Sequence, residues 1–236
     1  MSCLDCESLE SAVASLADHY RASVADIIDF LTTNSEDGLF ESFEARFGLA
    51  NSEWDSVCWF HLTRVLADTD FSEGILPLHL ALDKIWAAMA VIVSPIQKTN
   101  LENLKAMGVP DDLYKLKIEN MSCFAGPNAM LVKESAFRSG EMGNHDYLAM
   151  PEIVEDICHG YDKQFGESIQ EVIAAGLKKC IVKFELLARG VDYTPEALGY
   201  CWCKYHNECL HNYANACYPD DGQTIPHAAI RKIEFL

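Results

Sequence analysis

A histidine, a threonine and an arginine close an apolar run in the segment VCWFHLTR, at positions His61, Thr63 and Arg64. The planar guanidinium of an arginine suits a diphosphate, and an imidazole suits a ribose hydroxyl. The pattern therefore predicts nucleotide contacts at the end of a strand. A second interpretation stays open, in which His61 is a core histidine bonded to a backbone carbonyl and Arg64 is exposed.

Acidic side chains that could assist a reaction occur in the segment GNHDYLAMPEIVED. Glu152 and Glu155 are three residues apart, so a helix would place them on one side. Neighbouring carboxylates push each other's pKa values apart, which can yield a catalytic acid or base. Alternatively, these acids only complement the dipole at a helix N-terminus. Glu152 is the predicted catalytic carboxylate, Tyr147 is predicted to line the same site, and Glu185 and Glu208 are weaker candidates.

Cysteine and histidine, the residue types that bind zinc, recur in the run CWCKYHNECLH at residues 201–211. Structural zinc sites typically use two CxxC-like hooks, whereas this run is predicted to lie in one helix from about Pro195 to Ala216. On that helix Cys201, Tyr205 and Cys209 recur every four residues, as in ordinary core packing. The CLDC segment at residues 3–6 is a CxxC pair, but the sequence contains no second pair to match it. Core packing is therefore favoured over zinc binding for the run at residues 201–211, and no metal ligand is assigned from the sequence.

Charge and composition limit the classes of partner. The 236 residues include 36 acidic and 18 basic side chains, for a net charge of −18. Such a field repels phosphates, so nucleic acid is a disfavoured partner and a basic protein is a favoured one. No apolar run reaches the roughly 18 residues of a membrane span, and the amino terminus lacks a signal-peptide pattern. Ten cysteines are then best read as reduced thiols, which predicts a cytoplasmic protein with no membrane partner.

Periodicity predicts the elements that position these residues. Residues 7–48 read as helices, and a buried strand is predicted from Val57 to Thr63. Further strands are predicted at NAMLVKE, CIVKFELL and AIRKIEFL, with helices that include LALDKIWAAMAVIV, PEIVEDICHGYDKQF and ESIQEVIAAGL between them. The order indicates an α+β fold, with an N-terminal helical layer at residues 1–50 and an α+β catalytic-like domain at 51–236.

Two stretches resemble the ADP-ribosyltransferase superfamily. The opening HLTR, followed by GILPL, resembles the family's first strand and the step onto its next element, and TIPHAAIRKIEFL resembles its closing strand. Members usually carry HGT on the first strand, and Leu62 stands in the position of that glycine. The resemblance implies a split β-sheet core and NAD as the substrate.

The resemblance also implies roles for individual residues. His61, Thr63 and Arg64 become the dinucleotide-binding set, together with Tyr147. A glutamate, assigned to Glu152, orients the acceptor and stabilises the oxocarbenium-like ribose. The predicted function is NAD-dependent transfer of ADP-ribose to a macromolecular acceptor, or NAD hydrolysis. The alternative is a non-enzymatic acidic inhibitor that engages a basic partner, in which His61 is buried and dispensable.

Overall fold

The fold is mixed α+β. The computed structural model describes residues 2–48, 53–120, 126–219 and 222–236. Within these ranges it contains ten α-helices and one four-stranded sheet, whose strands lie in sequence order. The predicted α+β class is confirmed, whereas the ADP-ribosyltransferase-like core stays a prediction. None of the described helices has the length and apolar character needed to cross a bilayer.

The elements alternate irregularly along the chain. The first are β1 (Cys3–Leu4), α1 (Leu9–Tyr20), α2 (Val24–Thr33), α3 (Leu39–Phe47), β2 (Ser56–Val65), α4 (Leu78–Ile92), α5 (Pro95–Met107) and α6 (Asp112–Glu119). They are followed by α7 (Ser139–Met142), α8 (Glu152–Phe165), α9 (Gln170–Gly176), β3 (Lys178–Leu187), α10 (Thr194–His206) and β4 (Ile230–Phe235). Short 3-10 helices form at Lys133–Phe137, Asn212–Ala214 and His227–Ala229.

Two compact units are built from interleaved segments of the chain. Unit 1 comprises Met1–His61, Ala129–His145 and Lys183–Tyr218, and unit 2 comprises Leu62–Asn128, Asp146–Val182 and Pro219–Leu236. Strands β2 and β3 each contribute residues to both units. The domain boundary predicted at residue 50 lies outside the described residues.

Three of the four predicted strands are confirmed, as β2, β3 and β4. The segment NAMLVKE is different, because it forms isolated bridges at Met130 and Val132 and then enters a 3-10 helix. The backbone N–H of Val132 is bound by the side-chain oxygen of Asn215 at 2.9 Å, so a side chain takes the place of a strand partner there. The prediction of a strand at this segment was wrong.

Unit 1 packs its first three helices and α10 around aromatic side chains. Ser23 caps α2 as its sequence predicts, since its side chain accepts the N–H of Asp26. Phe30 and Phe43 meet edge to face with centroids 5.2 Å apart, and both are buried. The Trp54 indole donates a buried hydrogen bond of 3.1 Å to the Thr194 hydroxyl. These contacts confirm the helices predicted for residues 7–48.

Unit 2 has its own apolar core between α4, α5, α8 and α9. Tyr161 of α8 is fully buried, and its hydroxyl bonds Glu167 at 2.7 Å and Asn100 at 3.1 Å. Gly160 on the same helix lies so close to Val109 that a Cβ there would come 2.2 Å from a valine methyl carbon. The helix predicted for PEIVEDICHGYDKQF is confirmed as α8, and its glycine lies where Val109 packs against the helix.

Candidate functional site

The alternation of strand β2 separates the predicted nucleotide-binding residues. Successive side chains of a strand point to opposite faces, so His61 and Thr63 share one face and Arg64 lies on the other. All three are half-buried. Within unit 2, Thr63 and Arg64 therefore address different surfaces.

The guanidinium of Arg64 is bound by backbone carbonyls of unit 2. Its Nε donates to the carbonyl of Leu148 at 2.7 Å, and one terminal nitrogen donates to Leu177 at 3.3 Å and to Ala174. These bonds join β2 to the segment before α8 and to the end of α9. They give Arg64 a structural role, and its predicted contact with a diphosphate stays a prediction.

Glu152 and Tyr147 are in contact, in a network that includes a lysine. The Tyr147 hydroxyl donates to Glu152 at 3.1 Å, and the ammonium of Lys117 lies 3.2 Å from the second carboxylate oxygen. The same ammonium lies 2.7 Å from Asp156, whose side chain is only 4% exposed. Because Arg64 holds the carbonyl of Leu148, the residue after Tyr147, three of the predicted residues belong to one part of unit 2.

Electrostatics distinguish the members of this network. Burial raises the pKa of Asp156, and the ion pair with Lys117 offsets only part of that effect. Burial works against the charge of Lys117, but its hydrogen bond and ion pair with Asp156 and its pairing with Glu152 outweigh it, so its pKa is raised. The site thus has a buried acid whose proton affinity is increased and a lysine fixed in its charged form.

The two segments that carry the family resemblance pair with each other in unit 2. Ile75, from GILPL, and Ile225, from TIPH, form an antiparallel bridge with hydrogen bonds of 2.9 and 3.0 Å in the two directions. Gly74 has a φ of +84°, and a Cβ there would come 2.1 Å from the Ile225 carbonyl oxygen. An imidazole nitrogen of His227 lies 2.9 Å from the carbonyl oxygen of Phe71. A glycine is therefore required where the two segments meet.

A second group of reactive side chains, in unit 1, was not predicted as a site. Cys3, Cys58 and Glu185 each offer a ligand atom, and these atoms lie within 4.8 Å of one another. The two sulfur atoms are 3.8 Å apart. The group forms because β1 runs parallel to β2 with Cys3 opposite Ser56, while the Ser56 hydroxyl donates to Glu185 at 2.6 Å. It is the only group of this kind in the part of the chain that the structure describes.

Hydrogen bonding makes the two thiols of this group different from each other. The bond with Cys58 lowers the pKa of Cys3, although burial opposes this effect. The pKa of Cys58 is raised by the same bond and by burial. Cys3 is thus the thiol that loses its proton first. On β3, the ammonium of Lys183 bonds Asp5 at 2.5 Å and Glu7 at 2.8 Å.

Sequence spacing could not have identified this group. The CLDC segment suggests a pair of Cys3 and Cys6, but Cys6 is fully buried and bridges Val132. The actual partners of Cys3 are 55 and 182 residues away along the chain. Glu185 was only a weak catalytic candidate.

The cysteine run at residues 201–211 is only partly helical. Helix α10 ends at His206 because Asn207 adopts a left-handed conformation and its N–H bonds the carbonyls of Cys203 and Lys204. Cys201 is buried as predicted, but Cys209 is exposed beyond the helix, so the predicted continuous face was wrong. The Cys203 sulfur lies 3.5 Å from His211.

In comparisons with known proteins, no family model, curated protein or solved structure matches the chain. Its function is therefore inferred from its own residues and their contacts.

Proposed function

We propose that the chain binds NAD beside the end of β2 that carries Thr63 and Arg64 and transfers ADP-ribose to a macromolecular acceptor, or to water. The observation that carries this proposal is the pairing of Ile75 with Ile225. The opening and closing segments that resemble the superfamily were recognised separately in the sequence. Their direct pairing, with a glycine at the closest approach, brings the two segments together and supports the resemblance.

The residues have separate tasks in this proposal. His61 and Thr63 are assigned the ribose and the amide of the nicotinamide end, as the resemblance implies. Arg64 is a positioning residue, because its guanidinium holds the backbone before α8 in place. Tyr147 donates a hydrogen bond to Glu152 and so orients the carboxylate assigned to the chemical step.

The chemical step exchanges one bond of the ribose carbon for another. The bond from this carbon to nicotinamide breaks, and nicotinamide leaves with the electron pair. The carboxylate of Glu152 stabilises the positive charge that develops on the ribose, and electrostatic stabilisation of this kind is commonly the largest catalytic contribution. The acceptor then attacks the same carbon, and its proton passes to the carboxylate or to solvent. The acidic surface favours a basic protein as acceptor.

The proposal is tested with purified chain, NAD labelled in the adenylate part, and a mixture of basic proteins. Nicotinamide release and label transfer are measured for the wild type, His61→Ala and Glu152→Gln. Matched controls are His79→Ala, at an exposed histidine, and Glu155→Gln, one turn further along α8. Loss of at least 100-fold in Glu152→Gln, with both controls active, would support the assigned roles.

A binding function without chemistry is the second candidate, and the charge of −18 favours it. It predicts salt-sensitive association with a basic protein, because screening weakens attraction between surface charges. No nicotinamide release from the wild type, together with no thermal shift on addition of NAD, would reject the transferase proposal. Salt-sensitive capture of a basic protein under those conditions would then favour the binding function.

A further inference from the structure

We propose that Cys3, Cys58 and Glu185 form a binding site for one Zn²⁺ ion in unit 1, independent of the NAD site. The three residues come from three neighbouring strands of the sheet, β1, β2 and β3. Two thiolates and a carboxylate are ligand types that zinc accepts, and water completes the tetrahedron when a protein supplies three ligands. The soft sulfur ligands favour zinc over magnesium or calcium.

The spacing of the sulfur atoms fits this geometry. Zinc–sulfur bonds of about 2.3 Å at a tetrahedral angle place two thiolates about 3.8 Å apart. The sulfur atoms of Cys3 and Cys58 are 3.8 Å apart. A carboxylate oxygen on the same ion would lie about 3.6 Å from each sulfur. The Glu185 oxygen already lies within 4.8 Å of both sulfur atoms, so a shift of about 1 Å completes the set.

The surroundings support a cation at this position. The Ser56 hydroxyl holds Glu185 at 2.6 Å, in the way that residues around a metal centre orient its ligands. Asp5 and Glu7 are a second source of negative charge. Both bond the ammonium of Lys183, which lies on β3 two residues before Glu185. Binding converts two thiols into thiolates and releases their two protons to the buffer, with no oxidant or reductant involved.

The consequence for the fold concerns the amino-terminal strand. Strand β1 contains only two residues, Cys3 and Leu4, and pairs with β2 over that length. An ion bound to Cys3, Cys58 and Glu185 would fix β1 to the two strands beside it. Zinc is therefore expected to stabilise unit 1 by mass action, since it binds the folded chain in preference to the unfolded one.

The first experiment measures Zn²⁺ affinity of the reduced full-length chain by competition with a chromophoric chelator. Co²⁺ serves as a spectroscopic substitute, because its thiolate charge-transfer band reports the number of sulfur ligands. The variants are Cys3→Ser, Cys58→Ser and Glu185→Gln, and the matched control is Cys209→Ser, at an exposed cysteine beyond α10.

One equivalent of metal with two thiolate ligands is expected for the wild type and the control. Each cysteine variant should lose binding, and Ser56→Ala should weaken it about 10- to 100-fold, as loss of an orienting neighbour does. Equal binding in wild type, Cys3→Ser and Cys58→Ser would overturn the proposal, as would no binding by the wild type.

A second measurement needs no variant and so does not depend on their folding. The wild-type chain is treated with an alkylating reagent, with and without Zn²⁺, and labelled cysteines are identified by peptide mass. Selective protection of Cys3 and Cys58 is expected. Protection of Cys203 and Cys209 instead, or recovery of Cys3 and Cys58 as a disulfide-linked peptide that binds no metal, would contradict the assignment.

Discussion

Each unit contains a lysine that is shared between two carboxylates, and the two lysines have different surroundings. In unit 2, Lys117 bridges Glu152 and Asp156, and the Asp156 side chain is 4% exposed. In unit 1, Lys183 bridges Asp5 and Glu7, whose side chains are about one-quarter exposed. The unit 2 motif therefore contains one acid that is almost completely buried, whereas both acids of the unit 1 motif are partly exposed.

The difference indicates what each lysine does. Asp156 is too deeply buried for water to solvate its carboxylate. The ion pair with Lys117 therefore stabilises the charged form of Asp156. Asp5 and Glu7 keep part of their hydration, and Glu7 also lies 3.4 Å from Lys133. Lys183 is then less essential to stability, and its position on β3, two residues before Glu185, lets it influence the field at the two thiols.

The largest predicted effect is that of Lys117→Met. Removing one partner of a buried ion pair leaves the other charge uncompensated, and we expect a loss of about 3–5 kcal/mol in the free energy of unfolding. Urea denaturation at neutral pH measures it. Lys84→Met is the control, because Lys84 and Glu73 are both more than half exposed and such pairs contribute about 0–1 kcal/mol.

The loss in Lys117→Met should also depend on pH. Burial raises the pKa of Asp156 in the folded chain, and without Lys117 it rises further. A carboxyl with a raised folded pKa favours the folded state at low pH, and this contribution disappears as the pH rises through that pKa. The variant should therefore approach the wild type on acidification. A loss that is equal at acidic and neutral pH would exclude Asp156 as its cause.

Lys183→Met should have a smaller effect on stability. The lysine side chain is 13% exposed and donates to two charged acceptors, so a loss of roughly 1.5–3 kcal/mol is expected. Zinc affinity should rise several-fold in the same variant, because a cation near the proposed site is removed. A fall in zinc affinity would contradict the electrostatic role given to Lys183.

Local sequence patterns predicted most of the fold, and the exceptions have physical reasons. Ser23 was recognisable as a cap because the interaction spans three residues, and β2 because aromatic and β-branched residues cluster in it. The strand expected at NAMLVKE does not form, and the backbone N–H of Val132 bonds the side chain of Asn215, 83 residues away. At the end of α10, Asn207 adopts a left-handed conformation and the N–H of Glu208 bonds the carbonyl of Cys203, and the preceding apolar pattern reveals neither feature.

The candidate sites were predictable to different degrees. Tyr147 and Glu152 are five residues apart, so a local segment already contains the contact between them. The partnership of Glu152 with Lys117 depends on the packing of α6 against α8, which no spacing encodes. Cys3, Cys58 and Glu185 meet only through strand order and register. Sequence alone therefore pointed to two residues that meet within one segment and missed the group that three strands assemble.

A third prediction compares two buried aspartates of unit 2, Asp111 and Asp156. Burial acts to raise the pKa of Asp111 as well, but the bond with Lys163 and the N–H groups at the start of α6 outweigh it, so its pKa is lowered. Such a group stabilises the fold above its unfolded pKa, and the contribution is lost as the pH falls through the folded pKa.

Asp111→Asn removes the charge and keeps a capping side chain. We expect a loss of about 1 kcal/mol at neutral pH, because Lys163 is largely exposed. The difference from wild type should shrink below about pH 4, because the Asp111 carboxylate of the wild type is then protonated and no longer pairs with Lys163. Urea midpoints from pH 3 to pH 7 would measure it, and a difference that grows on acidification would contradict the assignment.

The smallest predicted effect, that of Tyr147→Phe, separates the structural role of the Lys117 network from its proposed chemistry. The variant loses a hydrogen bond of 3.1 Å to a carboxylate that is 38% exposed, so the free energy of unfolding should fall by only about 0.5 kcal/mol. Lys117 still holds the second oxygen of Glu152, so the carboxylate keeps its charge but is less firmly oriented. If Glu152 acts on the ribose, turnover of NAD should fall by about 10-fold or more with little change in binding, because orientation matters most in the transition state. An unchanged turnover number in a fully folded variant would mean that the tyrosine does not position a catalytic carboxylate, and that the network of unit 2 serves stability alone.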